Sequence, residues 1–164
     1  HRRSRVTPPV HDRRMCLECD GYSFEEAMQA LDLQIRVHGW VFQQIGTGAG
    51  SFSYTIGLLE NYGHPELVVL DVWDDMQASI LTALAAGIVE DGQLRAGDLA
   101  VTGVRCAEVD PIHLRDDRYF GTWANRYGRL PVAGEVLQVL LPDSAFCDGH
   151  VGLMRRLDLP EPTY

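Results

Sequence analysis

Tyr54-Thr-Ile-Gly-Leu-Leu-Glu-Asn-Tyr-Gly-His-Pro-Glu-Leu-Val-Val-Leu70 sets two apolar runs on either side of a loop that concentrates Glu60, Asn61, Tyr62, His64 and Glu66. The run from Leu67 to Trp73 is apolar on both faces, which is the pattern of an interior strand. The run from Phe52 to Leu58 precedes it, and before that Trp40 to Ile45 and the turn Gly46-Thr-Gly-Ala-Gly50 complete two strands joined as a hairpin. That glycine run does not read as a phosphate loop. It lacks a Gly-Lys-Ser/Thr ending, and a strand rather than a helix follows it.

Working outward, Ser23-Phe-Glu-Glu26 is a capping box, with Phe24, Ala27, Met28, Leu31 and Ile35 at helical spacing and Gly39 as a stop. A helix over about 24 to 38 follows. Asp74 is the expected cap of a second helix carrying Met76, Ile80, Leu81, Leu84 and Ile88. Leu99 to Val109 reads as a strand entered through Gly97-Asp98, Tyr119 to Tyr127 as a short aromatic helix ending near Gly128, and Val136 to Leu141 as the last strand. The predicted class is α+β: a mainly antiparallel sheet of about five strands packed by two longer helices and one short aromatic helix.

With 164 residues and 46% hydrophobic content, the chain has material for one ordinary core rather than two. Residues 1 to 14 carry five arginines against one acid, Asp12, together with Pro8 and Pro9, and have no apolar period. They read as a flexible arm. A single domain is expected over 15 to 150, with 151 to 164 as a C-terminal tail. The net charge of −9, despite the basic arm, makes the body acidic and argues against a broad nucleic-acid surface. No run approaches the ~20 apolar residues that span a bilayer, and the arm lacks the apolar segment of a secretory signal, so a cytoplasmic location is expected. All basic side chains are Arg and none is Lys, a codon-level bias of GC-rich genomes.

Two groups of residues carry candidate chemistry. In the quoted stretch, His64 titrates near neutrality, and Glu60 or Glu66 nearby is positioned in sequence to fix its tautomer or raise its basicity, as a general acid or base requires. Pro65 restricts the backbone on either side of it. Tyr54 and Thr55 lie on opposite faces of their strand, so only one of them shares a face with such a site. The competing reading is a solvated loop in which His64 and Glu66 cap the turn or pair with an Arg.

The second group is Cys16-Leu-Glu-Cys19 with Cys147-Asp-Gly-His150: two pairs, each with two intervening residues, as a tetrahedral zinc site requires. Free or redox-active thiols are the alternative, since more than a hundred residues separate the pairs. Trp40, Trp73 and Trp123 read as core fillers, His113 has no obvious partner, and Asn125-Arg126-Tyr127 is suited either to binding a carboxylate or to covering the sheet. No Gly-x-Ser-x-Gly elbow, His-Glu-x-x-His helix or EF-hand loop is present.

Met15-Cys-Leu-Glu-Cys-Asp20, His38-Gly-Trp40, Tyr54-Thr-Ile-Gly-Leu58, Gly63-His-Pro-Glu-Leu67 and Leu137-Gln-Val-Leu-Leu-Pro-Asp143, in that order, resemble the bacterial domain-of-unknown-function family 4262. The resemblance spans about residues 15 to 150 and implies a small bacterial domain without an assigned activity. Where the family pattern tends to have Phe-Pro-Trp after Pro-Asp, this chain has Phe146-Cys-Asp-Gly-His150, so the Cys147 and His150 pair is a departure from it. The functional expectation is a small molecule bound in a pocket near His64-Pro65-Glu66, with acid/base chemistry open to it. The alternatives are a non-catalytic module binding a protein partner, or a zinc or thiol site at Cys16 and Cys19.

Overall fold

The computed structural model describes residues 21–92, 94, 103–142 and 155–160. Its elements run α1 (Phe24–His38), β1 (Val41–Ile45), β2 (Phe52–Ile56), α2 (Leu58–Tyr62), β3 (Glu66–Leu70), α3 (Asp74–Asp91), β4 (Arg105–Glu108), a 3-10 turn (Pro111–Leu114), α4 (Gly121–Tyr127) and β5 (Val136–Leu140). The sheet order is β1-β2-β3-β5-β4, with every neighbouring pair antiparallel except β3 and β5. This is the expected α+β class, and the doubly apolar β3 is the central strand.

Alternation along the strands divides the core into two layers. Phe52, Tyr54 and Ile56 of β2 and Val68 and Leu70 of β3 face Leu31 and Ile35 of α1 and Trp123 of α4. Leu67 and Val69 of β3, with Leu137 and Val139 of β5, face Leu81, Leu84, Ala85 and Ile88 of α3. The sheet is therefore covered on both sides. Among the described residues, no helix is long and apolar enough to cross a membrane.

The capping box at α1 forms as the sequence predicts. Glu26 N donates to Ser23 Oγ at 3.2 Å and Ser23 N donates to Glu26 Oε2 at 2.8 Å, while Gly39 closes the helix at φ 82°. Asp74 departs from its expected role. Trp73 occupies the N-cap position of α3 and makes no side-chain cap bond, and Asp74 instead accepts from Ser51 Oγ (2.7 Å) and Gly48 N (3.3 Å). The glycine turn is thus tied to the protein's own carboxylate. Trp73 is also no core filler, being 74% exposed, whereas Trp123 is buried.

The two glutamines buried against the sheet, Gln77 and Gln138, have their amides satisfied, as burial demands. Gln77 of α3 accepts from Ser53 Oγ and donates to Ser51 and to Val72 O. On the opposite face Gln138 of β5 donates to Arg155 O and accepts from Leu157 N, each at 2.7 Å. Leu157 is completely buried, so part of the segment expected as a tail belongs to the core. The same segment supplies Leu159 O to Nε2 of His113 at 2.7 Å, giving that histidine the partner its sequence context did not suggest.

Candidate functional site

Part of the quoted loop is regular. Leu58 to Tyr62 form the single-turn helix α2, too short for a hydrophobic period to reveal and too short to persist in isolation. Neighbours define its ends. At the start, Gly57 has φ 111°, and a Cβ there would lie 2.7 Å from Gly39 O, so only glycine fits. At the close, Gly63 N donates to Leu59 O and His64 N to Leu58 O, which satisfies the terminal carbonyls.

The anchor of α2 is Glu66. Its carboxylate is wholly buried at the head of the central strand. Oε1 accepts from Gly57 N (2.9 Å), Leu59 N (3.4 Å) and Trp123 Nε1 (3.4 Å), and Oε2 accepts from Thr55 Oγ1 (2.7 Å) and Leu58 N (3.3 Å). Three of the five donors are the orphan amides at the start of α2. Burial pushes the carboxyl up to about 7, against the hydrogen bonds from Thr55, Gly57, Leu59 and Trp123, which favour the charge. Of the two strand neighbours, Thr55 meets Glu66. Tyr54 instead accepts from Thr122 N at 3.2 Å, and burial raises its hydroxyl's pKa.

His64 lies apart from this network. It is completely buried, its Nδ1 is 2.6 Å from Pro65 O, and the backbone of Leu94, beyond α3, is a further polar neighbour of the ring, although Nε2 makes no hydrogen bond of normal geometry among the described residues. Desolvation lowers its pKa, which keeps the ring neutral. Among the described residues no hydrogen bond joins His64 to Glu66 or Glu60. The loop's polar groups therefore divide: His64 toward the α3 layer, Glu66 and Tyr54 into the opposite layer, and Glu60 outward.

Glu60 points into a cleft of about 420 Å³ lined by Met28 and Asp32 of α1, Glu60 of α2, and Asn125, Arg126 and Tyr127 of α4. Glu60 Oε2 accepts from Arg126 Nη2 at 3.0 Å and from Tyr127 Oη at 2.9 Å, and Arg126 Nη1 pairs with Asp32 Oδ1. Arg126 is the most enclosed of the three charges, with 15% of its side chain exposed against 45% for Asp32 and 41% for Glu60. Burial and the neighbouring carboxylates raise the Tyr127 pKa, so its hydroxyl remains a donor. Trp123 links the two levels, since its ring packs on Tyr127 at 4.5 Å between centroids while its Nε1 reaches Glu66.

Of this set, Asn125-Arg126-Tyr127 reads from sequence as suited equally to a carboxylate or to covering the sheet; Arg126 and Tyr127 do meet carboxylates, and these belong to the protein itself. Met28 carried no signal beyond its place in the apolar stripe of α1, and Asp32, off that stripe, carried none. Cys16, Cys19, Cys147 and His150 lie outside the described residues. Among the described residues, no group of three or more His, Cys, Asp or Glu is arranged to hold a metal ion.

With this geometry in view, comparison with protein-family models matches residues 34–146 to the domain of unknown function DUF4262. The chain belongs to the DUF4262 family. The match takes in every element from the end of α1 to β5, including α2, Glu66 and the α4 wall of the cleft. No curated protein and no solved structure matches the chain. DUF4262 membership thus agrees with the resemblance read from the sequence motifs, and it brings no activity with it.

Proposed function

We propose that this DUF4262 domain binds a small polar molecule in the cleft between α1, α2 and α4, at the α2 end of the loop leading to His64-Pro65-Glu66. The observation that carries this reading is the convergence of Asp32, Glu60, Arg126 and Tyr127, from three separate helices, on one concavity of a size that suits a small ligand. In this reading Glu60 meets the ligand, and any acid or base role falls to it. Glu66 and Tyr54 support the floor from within the core, and His64 is structural. A fragment screen followed by backbone amide shifts tests it: compounds that bind should perturb Asp32, Glu60 and residues 125–127, and Glu60→Ala should abolish the response while the remaining spectrum is retained. Fragments that bind only elsewhere would refute it.

A second reading, a non-catalytic module for a protein partner, draws on Leu33 and Val37, which stand exposed one turn apart on α1. A zinc ion held by Cys16, Cys19, Cys147 and His150 is a separate proposal that rests on ligand spacing alone.

A further inference from the structure

Beyond the existence of a ligand, the cleft's unused hydrogen-bonding capacity points to a ligand class. Three of its donor atoms are spent on the protein, while Arg126 Nε is buried without a hydrogen-bond partner among the described residues and Asn125 adds only a neutral amide. Arg126 Nη1 is committed to Asp32, Arg126 Nη2 to Glu60, and the Tyr127 hydroxyl to Glu60. Its acceptors are half spent, because Asp32 uses only Oδ1 and Glu60 only Oε2, leaving Asp32 Oδ2 and Glu60 Oε1 without a hydrogen bond among the described residues. Both carboxylates are partly exposed, while the guanidinium between them is mostly enclosed. Two carboxylates against one guanidinium leave a net negative charge at the mouth, within an acidic body. The thioether of Met28 and the ring of Tyr127 supply the apolar part of the lining.

We infer that the cleft takes a small organic cation, a primary alkylammonium whose N–H donors meet the free oxygens of Asp32 and Glu60 while its carbon chain lies against Met28 and Tyr127. An ammonium group suits this arrangement because it is compact, carries three donors and accepts nothing. An anion would face two carboxylates across an arginine already neutralised by them. A neutral alcohol would satisfy one oxygen without the charge.

This inference rests on the cleft being a ligand site, and the test separates the two claims. Amide shifts of the full chain at neutral pH are followed against three probes with the same carbon chain and different head groups: n-butylamine, 1-butanol and sodium butyrate, at equal ionic strength. Saturable shifts at Asp32, Glu60 and residues 125–127 are expected with butylamine only, and Asp32→Asn and Glu60→Gln should each weaken its binding by about tenfold, the loss of one charge-assisted hydrogen bond. The spectra themselves report whether each variant is folded. Butyrate or butanol binding as tightly as the amine would overturn the cation assignment while leaving the cleft as a site. Absence of saturable shifts with all three at concentrations up to about 0.1 M would overturn the cation assignment, and only failure of the wider fragment screen as well would remove the cleft reading.

Discussion

Glu66 sets two opposed effects against each other, and the pH dependence of stability shows which one dominates. Five donors converge on its carboxylate and favour the charge, whereas complete burial at the head of the central strand opposes it. Burial is the larger influence, placing the folded-state value at about 7 against the ordinary 4.5. Because the folded value lies above the unfolded one, the native state holds the extra proton between them. The stability contribution is then complete below about 4.5 and is lost as pH rises through about 7. The difference corresponds to about 3 kcal/mol. This is a substantial part of the stability of a domain of this size.

His64 acts in the opposite sense. Its lowered pKa contributes stability that is present above 6.5 and lost as pH falls toward the folded value. The two must be separated by difference. Urea unfolding of the wild type and of Glu66→Gln should be followed from about pH 5 to about pH 8, with the variant keeping the His64 component and losing that of Glu66. The wild-type profile minus the variant profile should fall by about 2 to 3 kcal/mol with rising pH. A difference profile that is flat, or that rises with pH, would refute the reasoning. It would mean that the α2 amides, Thr55 and Trp123 stabilise the charge by more than its desolvation costs.

The remaining expectations are simpler. Gly57→Ala should destabilise the fold by at least about 2 kcal/mol in chemical unfolding, since the new Cβ would stand 2.7 Å from Gly39 O on backbone at φ 111°. Gln138→Leu should cost about 2 kcal/mol and, by leaving Leu157 N and Arg155 O unpaired, speed tryptic cleavage at Arg155 and Arg156. If a zinc ion joins Cys16, Cys19, Cys147 and His150, protein purified without a polyhistidine tag should contain about one zinc per chain, and chelation should raise the titratable thiols. Zinc absent at every stoichiometry would dismiss that clamp.

The amino-acid sequence by itself determined what depends on local pattern. A Ser-x-x-Glu box and a helical stripe specify α1, a doubly apolar run specifies the central strand β3, and ordered motifs mark the DUF4262 family. These signals are legible because each is a relation between residues close in the chain. Tertiary structure decided the rest. Helix α2 is too short for any period and depends on a carboxylate seven to nine residues ahead of the amides it holds. Glu66, read as a loop charge, is buried because the strand it opens is the middle of the sheet, and this also separates it from His64. The cleft required Asp32, Glu60 and Arg126 to meet, and Arg126 stands 94 positions from Asp32 and 66 from Glu60. No local pattern encodes that meeting, because it is set by how α1 and α4 pack on the same face of the sheet.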